Sequence, residues 1–182
     1  CFTDKRVTYP LKQKYIKRIY EYWQNELKTK YKKIAMDTGS TCSIVIHFKK
    51  NDCDYLNVLN TGDSRSVICR NNIAIALTKD HKPHWPEEIS RLRQLGEEPQ
   101  FDGFDWRIKD LSVSRAFGDI SAEPYLTCMP DIFIYKLTNN DKFIILACDG
   151  LWDVLTNQDV VNFVLINCYD HCFTTRINKH IN

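Results

Sequence analysis

The chain has 182 residues, 43% of them hydrophobic and 26% charged, enough for one domain that buries about 70% of its unfolded surface. Its longest uninterrupted apolar run, Phe143 to Cys148, is six residues. A membrane helix needs roughly 20, and the opening "CFTDKR" resembles no secretory signal, so a membrane role is not expected and an intracellular placement, cytoplasmic or nuclear, is. The formal net charge of +2 hides a split: residues 1–33 carry ten Lys and Arg against three Asp and Glu, a net of +7, which leaves −5 for the rest.

Leu11, Tyr15, Ile19, Tyr22, Trp23, Leu27, Tyr31 and Ile34 recur at three- and four-residue intervals, the pattern of an amphipathic helix with its lysines turned to solvent. Tyr and Trp fall on the apolar stripe, so they read as core rather than as base-stacking platforms, and a nucleic-acid partner is not expected. The period then changes to two. Strands are predicted at Cys42 to Phe48, Tyr55 to Asn60, Arg65 to Cys69 and Ile73 to Leu77, with "KKNDCD", "TGDS" and "RNN" as turns of an antiparallel meander. "HWPEEISRLRQLG" predicts a helix, with Pro86 in its first turn, Glu87 and Glu88 near the positive end of the dipole and Gly96 just past Leu95. Strands resume at Trp106 to Val113, Ile132 to Leu137 and Phe143 to Cys148. A last helix starts near "TNQDVVNFV", where Thr156 and Asp159 have capping-box spacing. Strand runs punctuated by helices, without βαβ alternation, predict an α+β fold with helices packed on antiparallel sheets.

The eight cysteines sit singly, with no C-x2-C pair of the zinc-ribbon kind, and read as reduced thiols. "CYDHC", Cys168 to Cys172, could offer Cys168, His171 and Cys172 to zinc, but no second ligand pair follows and the spacing suits a helix end.

"FIILACDGLWDV" raises a question of chemistry. An apolar strand ends in Asp149, at the rim of the core, where an unpaired carboxylate is costly. If the chain turns after Gly150, Asp153 comes round towards Asp149, and two such carboxylates repel unless a proton or cation lies between them. A hard divalent ion suits oxygen ligands of this kind; an ordinary strand-to-helix turn, with the aspartates on backbone amides, is the alternative. "TGDSR" places Asp63 in a second turn at a strand end, and "SRAFGD" adds Arg115 and Asp119.

"GSTCSIVI", "LNVLNTGDSRSVI", "LTKDHKP", "LSVSRAFGD", "PDI" and "FIILACDGLWDVLTNQDVVNFV" follow one another in an order and spacing that resembles the metal-dependent, type 2C (PPM) family of protein serine/threonine phosphatases, over about Asp37 to Cys168. The resemblance implies a four-layer α/β/β/α sandwich of two antiparallel sheets around a binuclear Mg²⁺ or Mn²⁺ site. It also implies hydrolysis of phosphoserine and phosphothreonine by a metal-activated water, on a phosphoprotein substrate or beside a protein partner. Asp149 matches the aspartate that ligates a core metal, Asp153 and Asp63 match those that complete a weaker third site, and Arg115 and Asp119 match structural support beneath it. On this basis residues 1–182 read as a single partial domain: a basic helical region 1–36, a motif-bearing core 37–168 and a tail 169–182.

The departures are specific. An early acidic pair with a phosphate-binding arginine, an Asp-Gly-His-Gly segment and a late Asp-Asn are missing, and neither Asp102-Gly103 nor Asp149-Gly150 is followed by histidine. The chain opens on Cys1 and resembles the middle of the family. Weak or absent activity by itself is therefore expected, with a catalytically dead scaffold that binds a protein partner as the alternative. A haloacid-dehalogenase-type hydrolase fits worse, because it needs Asp-x-Asp where this chain reads Asp-Gly-Leu-Trp-Asp.

Overall fold

The computed structural model describes residues 7–169. In chain order the elements are α1 (Gln13–Lys30), α2 (Lys32–Ala35), β1 (Gly39–Ser40), β2 (Cys42–Lys50), β3 (Cys53–Thr61), β4 (Arg65–Arg70), β5 (Ile73–Ala76), α3 (Pro86–Gln94), β6 (Gln100–Phe101), β7 (Trp106–Arg107), β8 (Phe117–Gly118), β9 (Asp131–Lys136), β10 (Asp141–Ala147), α4 (Asp149–Trp152) and α5 (Asn157–Val164). Two three-stranded antiparallel sheets, β2-β3-β9 and β10-β4-β5, form the centre.

Alternation along the strands makes the four expected layers. Ile44, Ile46, Leu59 and Ile132 turn outward onto Ile16 and Tyr20 of α1. Val45, Leu56, Val58 and Phe133 turn inward and meet Ile68, Leu77 and Ile144 between the sheets. Val67, Cys69, Phe143 and Ile145 turn to the other side, onto Trp152 of α4 and Val160 and Val161 of α5. Apolar contact on both faces explains why Phe143, Ile144 and Ile145 read as an unbroken apolar run. Full burial of one side chain such as Ile16 is worth about 1.5–3 kcal/mol.

Helix ends follow the local chemistry. Pro86 opens α3, with Glu87 and Glu88 in its first turn and Arg91 and Arg93 in its last, each sign where the helix dipole favours it. At α5 the capping box forms in both directions, between Thr156 and Asp159. Hairpins β2–β3 and β4–β5 turn on Asn51-Asp52 and Asn71-Asn72, all four at positive φ, the conformation a two-residue hairpin requires and Asn and Asp tolerate.

Three expectations need correction. The meander breaks at "TGDS": β3 and β4 lie in different sheets, and Gly62, at φ +96° with Thr41 where a Cβ would stand, carries the chain from one to the other. The α1 stripe is rotated. Ile16, Tyr20 and Gln24 are its buried row, whereas Tyr22, Tyr31 and Ile34 are more than half exposed. Gln24 enters the row because its amide is matched by the backbone of Gly118, donating to its oxygen at 3.2 Å and accepting from its nitrogen at 2.9 Å, as a buried amide must be. Finally, Trp106 to Val113 is no continuous strand. After the short β7 the chain reverses at Lys109-Asp110, both at positive φ, and closes with an Ile108–Leu111 bridge.

None of the six cysteines described, 42, 53, 69, 128, 148 and 168, is in a disulfide. His171 and Cys172 of "CYDHC" and the tail beyond Tyr169 lie outside the described residues. Among those described, no helix is long and apolar enough to cross a membrane.

Candidate functional site

The antiparallel register of β10 on β4 pairs Ala147 with Arg65. Two residues beyond that pair stand Asp149 on one strand's exit and Asp63 on the other's approach, so the topology delivers both to one end of the sheet. Asp153 follows one turn later: its backbone N–H donates to the carbonyl of Asp149 at 2.8 Å, closing α4.

The three carboxylates meet different partners there. Asp63 is 4% exposed, and its Oδ2 lies 2.6 Å from Lys82 Nζ. Lys82 also reaches within 4.0 Å of Asp105 Oδ2. Burial works against the charged ammonium, but the hydrogen bond and charge of Asp63, followed by the charges of Asp105 and Asp153, outweigh it and hold Lys82 protonated above its ordinary range. Asp149 is exposed, and its Oδ1 accepts the N–H of Gly150 at 2.8 Å. Asp153 is exposed as well. It lines a cleft of about 570 Å³ with Arg65, Trp152, Leu155, Asn157 and Gln158.

Arg65 is the second cation of this corner. Its Nε and Nη2 donate to both oxygens of Asp80 at 3.0 and 2.7 Å, and Nη1 donates to Asn157 at 2.7 Å. Its guanidinium stands 5.5 Å from the centre of the Trp152 ring. The Asp80 hydrogen bonds first, against burial, and then the charges of Asp80, Asp153 and Asp63 keep it firmly protonated.

Beneath this corner runs a buried ionic network. Glu88, 2% exposed, accepts from Arg115 at 2.9 and 2.5 Å on one oxygen and from Arg91 at 3.1 and 3.0 Å on the other. Arg115 continues to Asp131 at 3.0 Å and to the Met129 carbonyl at 3.1 Å. His81 Nδ1 accepts the N–H of Gly62 at 3.0 Å. Nδ1 also lies 3.1 Å from the Gly62 carbonyl oxygen, and Nε2 faces Asp131 Oδ2 at 3.3 Å. Asp131 is held below the ordinary carboxylate value by His81 first and, against burial, by Arg115. The network fixes Gly62 and therefore the turn that carries Asp63. Arg115 thus supports the site from below. Asp119, at φ +42°, sits against Gly39, where its carboxylate occupies the space a Cβ would need.

A divalent Mg²⁺ or Mn²⁺ favours about six oxygens. Among the described residues no three His, Cys, Asp or Glu side chains gather closely enough to hold a metal ion. The most buried candidate, Asp63, is already matched by an ammonium, and Asp149 spends one oxygen on its own turn. The donor set described here does not fit a resident metal. Lys82, Arg65, Asp80 and Glu88 are the charged side chains of this corner and its network that spacing did not mark as site residues. Asp80 and Lys82 stand in "LTKDHKP", a polar segment directly after a strand, Arg65 in "TGDSR" and Glu88 in "HWPEEISRLRQLG"; charge pairing across the fold has no local signature.

The protein phosphatase 2C family model matches residues 2–180. The chain is 52% identical over 115 residues to a PP2C-like domain-containing protein of Acanthamoeba polyphaga mimivirus, covering 60% of this chain and 64% of that protein. It is 42% identical over 107 residues to protein phosphatase 2C 3 of Arabidopsis thaliana, covering 59% of this chain and 24% of that one. It therefore spans less than two thirds of the length of these relatives. Among solved structures, serine-threonine phosphatase 2C from Toxoplasma gondii superposes with a TM-score of 0.68 at 26% identity, over 84% of this chain and 55% of that one. A sex-determining protein of C. elegans shares the fold with a TM-score of 0.75 at 24% identity, over 88% of this chain and 39% of its own.

Proposed function

The chain belongs to the protein phosphatase 2C family, and from that premise we propose that it is a single partial phosphatase domain that by itself hydrolyses phosphoserine and phosphothreonine weakly or not at all. The observation that carries this reading is the charge balance at the sheet end where Asp63, Asp149 and Asp153 stand. Catalysis of phosphoryl transfer rests on positive charge held ready for the transferring group. Here Lys82 is taken by Asp63 and Arg65 by Asp80, so neither is free to clamp a phosphate. Among the described residues no three donors stand together to hold the Mg²⁺ or Mn²⁺ that would otherwise supply that charge. His81 is 2% exposed and faces Asp131, unable to hand a proton to a leaving alkoxide in the cleft.

Hydrolysis of a serine-phosphorylated peptide by the purified chain in Mn²⁺, beside an Asp149→Asn control, tests this. The expected result is a rate near the buffer background for both. Robust turnover that the control abolishes would overturn the proposal.

A scaffold that binds a protein partner without turning it over is the second reading. It is favoured by the β6–β7 hairpin, whose Phe104 is 93% exposed and Phe101 56% exposed beside Asp105 and the Lys82 corner. Unpaired thiols support an intracellular, cytoplasmic or nuclear, setting for either.

A further inference from the structure

We propose that Lys82 is the resident cation of the Asp63 corner: a tethered ammonium that stands where Asp63 and Asp153 would otherwise share a divalent ion, so that metal binding at this corner must first break the Lys82–Asp63 pair. The inference rests on the family reading of the site and goes beyond it, because it concerns binding and not turnover.

Four observations support it. Asp63 and Lys82 meet at 2.6 Å, the distance of a charge-assisted hydrogen bond. Both side chains are largely withdrawn from water, at 5% and 17% exposure, so the pair is poorly screened and cannot be exchanged for hydration at little cost. Asp105 Oδ2 lies 4.0 Å from the same ammonium, so a second carboxylate bears on Lys82 besides Asp63. Two carboxylates on one ammonium are a concentration of negative charge of the kind a divalent ion would seek. Lastly, the ammonium is delivered by rigid backbone: Asp80, two residues before it, is fixed by Arg65, and the His81 carbonyl between them accepts from Ser114 at 2.9 Å. Lys82 is thereby held at the carboxylate instead of sampling solvent.

Manganese binding to the intact chain, followed by the electron paramagnetic resonance signal of free Mn²⁺, reads this directly. Lys82→Met keeps the aliphatic stem and removes the charge. It should bind Mn²⁺ about ten- to a hundred-fold more tightly than the parent, the range one charge-assisted hydrogen bond represents. Adding Asp63→Asn to Lys82→Met should return the affinity to the parent value. In the parent background Asp63→Asn alone should leave Mn²⁺ affinity unchanged, because that carboxylate is not available to metal. The proposal falls if folded Lys82→Met binds Mn²⁺ no better than the parent. Should Lys82→Met fail to fold, the single Asp63→Asn variant decides: a clear loss of Mn²⁺ affinity would show that Asp63 was open to metal with Lys82 in place. Turnover by the parent chain would overturn the functional proposal above while leaving this binding result as it stands.

Discussion

Glu88 shows how one side chain can hold several elements together. One of its oxygens joins α3 to Arg115, and through Arg115 to Asp131 at the head of β9, while the other holds Arg91 of its own helix. Burial raises the proton affinity of its carboxyl, but the hydrogen bonds and charge of Arg115, with Ser114 and Arg91, outweigh that and hold it below the ordinary 4.5. Glu88→Gln would leave two half-buried guanidiniums with Asp131 as their remaining counter-charge, at a cost of about 3 kcal/mol, measurable by urea unfolding at neutral pH. The pH dependence has a definite sign. Glu88 and Asp131 both bind protons more weakly when folded than their ordinary values of 4.5 and 3.8, so their contribution is complete above those values and is lost as the pH falls through the lowered folded ones. Stability of the parent chain should therefore decline below pH 4.5, and Glu88→Gln should decline less steeply. Equal slopes would show that the network does not titrate with folding.

Helix α5 owes its start to Thr156 and Asp159, which cap each other's backbone at 3.2 and 3.1 Å. Thr156→Ala should cost about 1 kcal/mol and speed hydrogen exchange in the first turn of α5 while leaving α1 unchanged; equal loosening of both helices would contradict a local cap. This cap was legible from four letters, because a capping box is written entirely in nearby residues. The same holds for the hairpin turns at Asn51-Asp52 and Asn71-Asn72 and for the Pro86 start of α3. The α1 face was misread by one register. Tyr15, Ile19 and Tyr22 look as apolar as Ile16 and Tyr20, and nothing local announces that Gln24 would be buried against Gly118, 94 residues away. The sheet change at Gly62 was hidden for a similar reason, since a glycine turn reads alike whether it folds a hairpin or crosses between sheets. At the site, the aspartates were visible at strand ends; the cations that match them were not, because Lys82 and Arg65 find Asp63 and Asp80 only once the strands have stacked.

The four layers enclose separate cores, and two thiols report on the outermost pair. Cys128 lies in the core beneath α1 and Cys69 in the core beneath α5, both buried, while Cys148 and Cys168 are exposed. A thiol reagent should modify Cys148 and Cys168 promptly in the native chain, and Cys69 and Cys128 only on unfolding. If the sandwich unfolds as one cooperative unit, the two buried thiols should become reactive at the same denaturant concentration, as residue-resolved mass spectrometry can establish. Two distinct midpoints would mean that one helix layer peels away before the sheets separate.

The Ala147–Arg65 pairing also imposes a schedule on biosynthesis. A ribosome releases β4 with its partner β5 at once, but β10, which covers the other side of β4, follows about 80 residues later, roughly 4–16 s at ordinary elongation rates. Throughout that interval Val67, Ile68 and Cys69 have a bare flank, able to pair with any extended chain nearby. A cell making this protein must shield one growing strand until its neighbour is translated, and slowing elongation between Ile73 and Asp141 should lower the soluble yield more than slowing it after Val164.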